Sequence, residues 1–386
     1  MRHYVRLCLA LTLSLFIGCS EPPEPSSNYR EYAYISNGGS NTVTVVDLRA
    51  LRILGTVAVG RSPTGLATNP QKNEIYVANT ESNNISVIDA ETNKVVSVIG
   101  VHRAPYFIDV SPDGTRAYVA NSGSANLSII DLNQRKVMRT IQVGNGSNLA
   151  KVTPDGKLVL ISLRDEDSVA IVDAEKLSLR SKIKTCGKPG MVAFVPDSTK
   201  AFVTCTAGNA IGVIDLQNDK LLTLLDVGQT PIDVVVKPDG GEAFVCNFDA
   251  SSISEIITNA NEVNSSFLIG DHPTRALVSP DNSLLFVSNY GSDSVAVYSI
   301  DNGKRIGSAG VGSHPEAMAF SPNNLLLLVV NTVSNDLAVL ELTDRKGHPR
   351  PESSQFINPA QWPVETMVPL GSNPRAIVVK AFVSQK

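Results

Sequence analysis

Short apolar runs with a polar residue at the second position recur along most of the chain. The run Val-Thr-Val-Val-Asp at 43–47 returns as related runs that end in Asp at 89, 131, 173 and 215. It keeps its phase in weaker form at 253–257, 295–299 and 337–341. Each closing residue lies 42 positions after the previous one. Spacing this regular indicates a repeat architecture.

Each period of the repeat divides into four strand-like runs. In the period that begins at Pro105, apolar runs at 106–110, 116–120, 127–130 and 136–143 are separated by turn-forming residues. The first turn reads Ser-Pro-Asp-Gly, with Pro and Gly where a tight turn favours them. The second and third runs are apolar on both sides, which we expect when sheets stack face to face. Each period therefore predicts one blade of a β-propeller.

The positions at which first strands begin predict the number of blades. They lie at Pro63, Pro105, Ser147, Pro189, Pro231, Pro273, Pro315 and Pro374. The last interval exceeds the period by 17 residues, which predicts an insert at about 345–363 that contains His348 and Trp362. We expect Trp362 to pack over the ring rather than dock a partner.

The two ends of the repeat pattern predict how the ring closes. The pattern starts at Glu31 with a second strand and ends with a lone first strand at 374–379. The fold class is therefore all-β: an eight-bladed β-propeller over 31–386 in which the C-terminal strand completes the N-terminal blade. Closure also removes the free sheet edge. The alternative is seven blades with loose ends.

The N-terminus reads as a targeting segment. Arg2 and Arg6 precede an apolar run at 7–17, which is too short to span a bilayer but suits a signal peptide over 1–18. Gly18 before Cys19 resembles the bacterial lipobox, in which the thiol of the Cys is acylated after cleavage. We expect lipidation at Cys19, a flexible tether over 19–30 and anchoring to the cell envelope, at the outer membrane because Ser20 follows. Ordinary secretion is the alternative.

The net charge of the chain limits the classes of partner that the protein can bind. The net charge is −4 and the charges are scattered, which argues against nucleic-acid binding. We expect a monomer whose partners are the membrane, through the lipid, and an envelope protein or glycan.

Three cysteines follow Cys19: Cys186, Cys205 and Cys246. Cys205 and Cys246 lie in adjacent repeats, one residue out of register, so they are the predicted disulfide; three buried free thiols are the alternative.

The strand motifs resemble a known repeat family. The segments Tyr-Val-Ala-Asn at 76–79 and 118–121, the Ser-Pro-Asp-Gly turn and the Val-Gly-x-x-Pro link are similar to the YVTN-type β-propeller repeat. The resemblance covers nearly everything from residue 31 onward and implies an exported or cell-surface propeller. The wider group is similar to propellers in quinoprotein dehydrogenases, haem d1 nitrite reductases and some lactonases. None of their catalytic motifs matches here residue by residue, and repeats four and five depart most, at Leu163-Arg164 and 204–206.

Residues that break the repeat are the candidates for a site. In a propeller, the loops that precede the first strand and those that follow the second share one face, around the mouth of the central channel. Off-pattern residues there are His272, Arg275, His314, Glu316, Arg375, Arg61, Arg103 and Tyr106. Arginine forks match carboxylates, so these side chains predict binding of an anionic small molecule. Solvation at an exposed rim is the alternative interpretation.

Other polar clusters point to structure rather than chemistry. The Asp residues that close the third strands fall in turns on the opposite face, and the Asn residues that open the loops after second strands are local capping groups. The sequence lacks metal-ligand spacing for His102, His272 and His314, and Asp165 to Asp167 lack a calcium-loop pattern. We expect no metal and no cofactor.

Two functions remain open from the sequence. The favoured one is a non-enzymatic binding or scaffold protein at the envelope, which uses a propeller face for a protein, a glycan or a small anion. The other is a lactonase-type hydrolase with Glu316 or Asp233 as general base. A hydrolase requires Glu316, His272, His314 and Arg375 to converge at the channel mouth.

Changing Cys19 to Ser tests the lipid anchor. Because only the thiol can carry the lipid, the Cys19→Ser variant should leave the membrane fraction, whereas the unchanged protein should stay in it. Membrane fractionation with an immunoblot measures this. A variant that still sediments with membranes would contradict the lipid anchor.

Overall fold

Eight four-stranded antiparallel sheets form the blades of a ring in the computed structural model of this protein, which describes residues 28–342 and 360–385. We number the blades from the one that holds the N-terminal strand, and call the strand nearest the channel in each blade its inner strand. This architecture confirms the predicted eight-bladed propeller.

The first four blades contain strands β1 to β15 and the C-terminal strand. From the channel outward, blade 1 contains β33 (Pro374–Val383), β1 (Tyr29–Asn37), β2 (Thr42–Asp47) and β3 (Arg52–Ala58); blade 2 contains β4 (Pro63–Thr68), β5 (Glu74–Asn79), β6 (Asn84–Asp89) and β7 (Lys94–Gly100); blade 3 contains β8 (Pro105–Val110), β9 (Arg116–Asn121), β10 (Asn126–Asp131) and β11 (Lys136–Gln142); blade 4 contains β12 (Ser147–Val152), β13 (Leu158–Leu163), β14 (Ser168–Asp173) and β15 (Ser178–Lys184).

The other four blades continue in the same order. Blade 5 contains β16 (Pro189–Phe194), β17 (Lys200–Cys205), β18 (Ala210–Asp215) and β19 (Lys220–Asp226); blade 6 contains β20 (Pro231–Val236), β21 (Glu242–Asn247), β22 (Ser252–Ile257) and β23 (Glu262–Leu268); blade 7 contains β24 (Pro273–Val278), β25 (Leu284–Asn289), β26 (Ser294–Ser299) and β27 (Lys304–Gly310), with β31 (Ala360–Gln361) on its outer edge; blade 8 contains β28 (Pro315–Phe320), β29 (Leu326–Asn331), β30 (Asp336–Glu341) and β32 (Val364–Pro369). One turn of 3₁₀ helix, Tyr290–Ser292, follows β25.

The ring closes through the pairing of β33 with β1. The register runs from Tyr29 opposite Val383 to Asn37 opposite Pro374. Asn28 extends it, because its side-chain amide donates to the Ser384 carbonyl at 3.0 Å. The predicted tether to residue 30 is therefore too long: residues 28–30 already belong to blade 1, since β33 is long enough to pair with them.

The hydrophobic core is divided among the eight contacts between neighbouring blades. The described residues form eight clusters of buried apolar side chains, and each cluster contains residues of two adjacent blades. The largest fully buried rings occupy the same repeat position: Tyr34, Tyr76, Tyr118, Phe202, Phe244 and Phe286. Burying one such side chain contributes about 1.5–3 kcal/mol, so every blade depends on both of its neighbours.

Two predicted local roles are confirmed by hydrogen bonds. Asp residues at the ends of the third strands accept from nearby backbone N–H groups, as Asp47 does from Arg49 and Ala50. Asn residues at the ends of second strands are buried and donate to the next strand. The amide of Asn79, for example, donates to Asn84 and Ser86 at 2.8 and 2.9 Å.

A glycine packs directly on this buried Asn in most blades. A Cβ added at Gly60 would lie 2.7 Å from the Cβ of Asn79, and one at Gly228 equally close to that of Asn247. The two residues of each pair are 19 positions apart. In blade 5 the same two positions hold Cys186 and Cys205.

Those two cysteines form the disulfide, so the predicted pairing of Cys205 with Cys246 is wrong. Their Cα atoms lie 5.5 Å apart, and Cys246 is a buried free thiol. The physical reason is the direction of the side chains. Cys246 faces the core between blades 6 and 7, away from blade 5, whereas the loop that carries Cys186 packs on the end of β17.

Several sequence predictions fall on residues that the structure does not describe. The signal peptide over 1–18, Cys19, the tether up to residue 27 and His348 of the insert lie outside the described residues. Trp362, at the end of the insert, is buried against Phe286 with ring centroids 5.9 Å apart. Within the described ranges, no helix is long and apolar enough to cross a membrane.

A buried carboxylate links two inner strands. Asp233 of β20 accepts from the Ala276 N–H of β24 at 3.0 Å, and the Arg275 guanidinium lies 3.6 Å away. Burial raises the pKa of Asp233, and the nearby Arg275 opposes that shift without cancelling it. In the turn of blade 3, the Ser111 hydroxyl and the Thr115 backbone N–H hold the pKa of the exposed Asp113 below its usual value.

Removing the disulfide should destabilise the propeller. The bond closes a loop of about twenty residues, for which chain entropy predicts a loss of about 3 kcal/mol in Cys186→Ser/Cys205→Ser. Guanidinium titration with and without reductant measures this. Reductant should shift the unfolding midpoint of the unchanged protein and leave that of the variant in place. Equal midpoints for both oxidised proteins would contradict the prediction.

The Gly–Asn pair found in most other blades supplies a matched control. Blade 5 has Ala210 and Gly212 where blade 2 has the amide and hydroxyl partners Asn84 and Ser86. Cys186→Gly/Cys205→Asn alone should remain destabilised, because it buries an amide without partners. Adding Ala210→Asn and Gly212→Ser should recover part of the loss, independently of reductant, in the same titration.

Asp233 and Asp113 should affect the pH dependence of stability in opposite directions. A raised folded-state pKa means that stability contributed by Asp233 is present below its unfolded pKa and is lost as pH rises through the folded value. Relative to the unchanged protein, Asp233→Asn should therefore gain free energy of unfolding as pH rises above about 4. Relative to the unchanged protein, Asp113→Asn should lose free energy of unfolding as pH rises through the acid range. The reason is that the pKa of Asp113 is lowered in the folded state, so the unchanged protein gains stability there. Denaturant titrations across that range test both signs, and a difference that does not vary with pH would contradict them.

Candidate functional site

A cavity of about 560 Å³ opens at the mouth of the central channel. It is bounded by the first residues of inner strands and by the loops that follow second strands. These loops pack beside the loops that precede the inner strands, as when Thr80 N–H donates to the Ser62 carbonyl at 3.0 Å. The predicted face of the ring therefore carries the cavity.

Four of the eight predicted site residues line this cavity. They are Tyr106 of β8, Arg275 of β24, Glu316 of β28 and Arg375 of β33. All four stand at the second or third position of an inner strand, where the side chain points toward the channel mouth. The sequence identified them because each departs from the repeat.

The two histidines lie behind the cavity wall rather than in it. His272 contacts the Phe248 ring edge-on at 4.6 Å, and His314 contacts Tyr290 edge-on at 4.1 Å. Phe248 and Tyr290 do line the cavity. Each histidine Nδ1 is 2.8 Å from a neighbouring oxygen, on Asp271 and Ser313 respectively. The histidines therefore position two aromatic wall residues.

Arg61 and Arg103 are held on the rim by their own blades. The Arg61 guanidinium donates to the Glu81 carbonyl at 3.4 Å, and that of Arg103 to the Gly123 carbonyl at 2.8 Å. Neither lines the cavity. Their side chains brace the loops after the second strands of blades 2 and 3.

Eleven of the fifteen lining residues were absent from the sequence-based candidates, and three of them carry large side chains at one repeat position. These three are Arg164, Phe248 and Tyr290, which occupy one position in the loops of blades 4, 6 and 7. The equivalent residues of blades 1, 2, 3 and 8 are Gly38, Thr80, Ser122 and Thr332. Comparing this position across the repeats would have found them, because three large side chains replace small ones.

The charged groups of the cavity differ in their partners. Arg275 lies beside the buried Asp233, which itself does not line the cavity. The side chains of Arg164, Glu316 and Arg375, in contrast, make no hydrogen bond or ion pair with any residue that the structure describes. Three guanidinium groups and one carboxylate give this lining a positive balance.

The rest of the lining is apolar and aromatic. Phe107, Leu149, Met191 and Ile232 lie on the inner strands of blades 3 to 6. A half-apolar cavity with a few charged groups is typical of small-molecule sites. In the described part of the chain, no group of three or more His, Cys, Asp or Glu side chains is placed to hold a metal ion.

Comparisons with known proteins find propellers. Residues 71–196 match the family profile described as Cytochrome D1 heme domain, and residues 266–365 match the profile described as Lactonase, 7-bladed beta-propeller. No curated protein matches the chain significantly.

Two solved structures resemble the fold. Hydrazine synthase of Kuenenia stuttgartiensis is 23% identical over 69% of this chain and 91% of its own, with a TM-score of 0.58. The dihydro-heme d1 dehydrogenase NirN, in complex with DHE, is 13% identical over 90% of this chain and 74% of its own, with a TM-score of 0.74. Identities this low show a shared fold alone. Together with the eight-bladed ring, these matches show that the chain is a β-propeller protein similar to the haem d1 and lactonase-type propellers.

Proposed function

We propose that this protein binds a small anionic molecule in the cavity at the channel mouth. The observation that carries the proposal is the pair of unpartnered arginines, Arg164 and Arg375, in one half-apolar cavity. A guanidinium makes its strongest hydrogen bonds with carboxylate or phosphate groups. Since the described protein offers these two arginines no acceptor, a ligand is the natural source of one.

The proposal depends on anion binding by arginine and requires no metal ion. Among the residues that the structure describes, no group of three or more His, Cys, Asp or Glu side chains is placed to hold one. The arginines would bind the acidic groups of the ligand, whatever its body is.

Binding is favoured over hydrolysis at this site. The hydrolase hypothesis requires His272 and His314 to converge with Glu316 and Arg375, but the two rings pack behind the wall. Asp233, the other proposed base, is buried and accepts from Ala276. Glu316 alone retains a free carboxylate in the cavity, which supports a role in orienting a ligand.

Export and lipid anchoring remain part of the proposal. They rest on the apolar run and on Gly18 before Cys19. An anchored propeller would present its cavity to small molecules of the envelope compartment. A protein or glycan scaffold would need a broad contact surface, for which the cavity supplies no argument.

Replacing Arg375 by Gln should weaken anion binding. Anilinonaphthalene sulfonate, a fluorescent anion with an aromatic body, is a suitable probe, and loss of one charged hydrogen bond should lower its affinity about tenfold. Fluorescence titration measures this. Arg103→Gln is the matched control, because Arg103 lies on the rim outside the cavity, and its affinity should be unchanged. Equal affinity in all three proteins would overturn the proposal.

A further inference from the structure

We propose that the ligand of this cavity is a two-ended anion: a flat apolar body with an acidic group at each end. This inference rests on the proposed function and specifies its ligand class. It follows from where the cavity's arginines stand around the ring, from a glycine that makes room for one of them, and from the apolar residues between them.

The arginines stand on two sides of the ring. The inner strands follow one another in the order of the blades, so that blade 4 lies opposite blade 8. Arg164 belongs to blade 4. Arg275 of blade 7 and Arg375 of blade 1 flank blade 8, which carries Glu316. Arg164 and Arg375 therefore line the cavity from blades that are not neighbours, an arrangement that matches a ligand with an acidic group at each end.

Gly190 makes room for the Arg164 side. It occupies the second position of β16, where the other seven inner strands have a side chain: Thr64, Tyr106, Asn148, Ile232, Thr274, Glu316 and Arg375. A Cβ at Gly190 would lie 3.8 Å from Nη1 of Arg164 and 2.8 Å from Oγ1 of Thr204. The Arg164 guanidinium therefore lies beside the β16 backbone in the cavity lining, where a side chain longer than one carbon would compete with it for space.

The surface between the two sides suits an apolar body. Phe107, Leu149, Met191 and Ile232 line one part of the cavity, and they carry no charge. The rings of Phe248 and Tyr290, with centroids 6.1 Å apart, form a wall that is braced by the two histidines. Flat ligands stack on aromatic faces, whereas a strongly hydrated body would lose its water against this surface.

Glu316 restricts the end that faces it. Its carboxylate stands on the blade between those of Arg275 and Arg375. An acidic group placed at Glu316 would be repelled, so it must turn to a flanking arginine. The site therefore accepts one acid at this end and disfavours a cluster of acids.

Matched aromatic acids test the two-ended ligand. The probes are benzene, naphthalene, biphenyl and terphenyl dicarboxylates with acids at opposite ends, together with the corresponding monocarboxylates, titrated by calorimetry into the full chain. We expect at least one diacid to bind about tenfold more tightly than its monoacid, since a second charged hydrogen bond is formed. Arg164→Gln should abolish this preference, so that each diacid binds no more tightly than its monoacid.

The controls separate this inference from the proposed function. Arg103→Gln should retain the diacid preference, and thermal unfolding should show that Arg164→Gln is folded. If monoacids and diacids bind equally and Arg164→Gln changes neither, the two-ended ligand is overturned while anion binding stands. If no acid in the series binds and Arg375→Gln leaves the sulfonate probe unaffected, the proposed function itself fails.

Discussion

The pairing of β33 with β1 is the interaction on which the rest of the structure depends. Each blade buries both of its faces against neighbours, so the ring has no stable end unless the last blade meets the first. The pairing joins residues more than 330 positions apart, from Tyr29 opposite Val383 to Asn37 opposite Pro374. A propeller closed in this way holds its inner strands rigidly enough for single side chains to define a cavity.

Within the closed ring, the repeat separates scaffold from site. The buried Asn at the end of a second strand and the Asp at the end of a third strand satisfy backbone and side-chain groups locally, so they recur. Blade 5 has a disulfide at the two positions where most other blades have a glycine packed on an asparagine. The substitution is consistent within the blade, since the polar partners of the Asn are also replaced, by Ala210 and Gly212.

The candidate site combines two kinds of electrostatic environment. Asp233 and Arg275 form a partly buried pair beneath the cavity, and such pairs add little to stability because desolvation offsets their attraction. Arg164 and Arg375 are instead left without acceptors in the described protein, at positions where no other repeat has a basic residue. Unpartnered guanidinium groups in a half-apolar cavity are an arrangement suited to binding rather than to folding.

The sequence by itself determined the strands, the eight blades and the closing strand, because a 42-residue period and turn residues are local signals that repeat. It also identified Arg275, Glu316 and Arg375 as departures from that period. Only the tertiary structure decided which departures share a cavity: His272 and Arg61 stand near the same mouth, yet ring packing and a loop carbonyl hold them away from it. The tertiary structure also decided that Cys186 pairs with Cys205. Whether a side chain faces one neighbouring blade or the other depends on contacts between blades, which no single repeat contains.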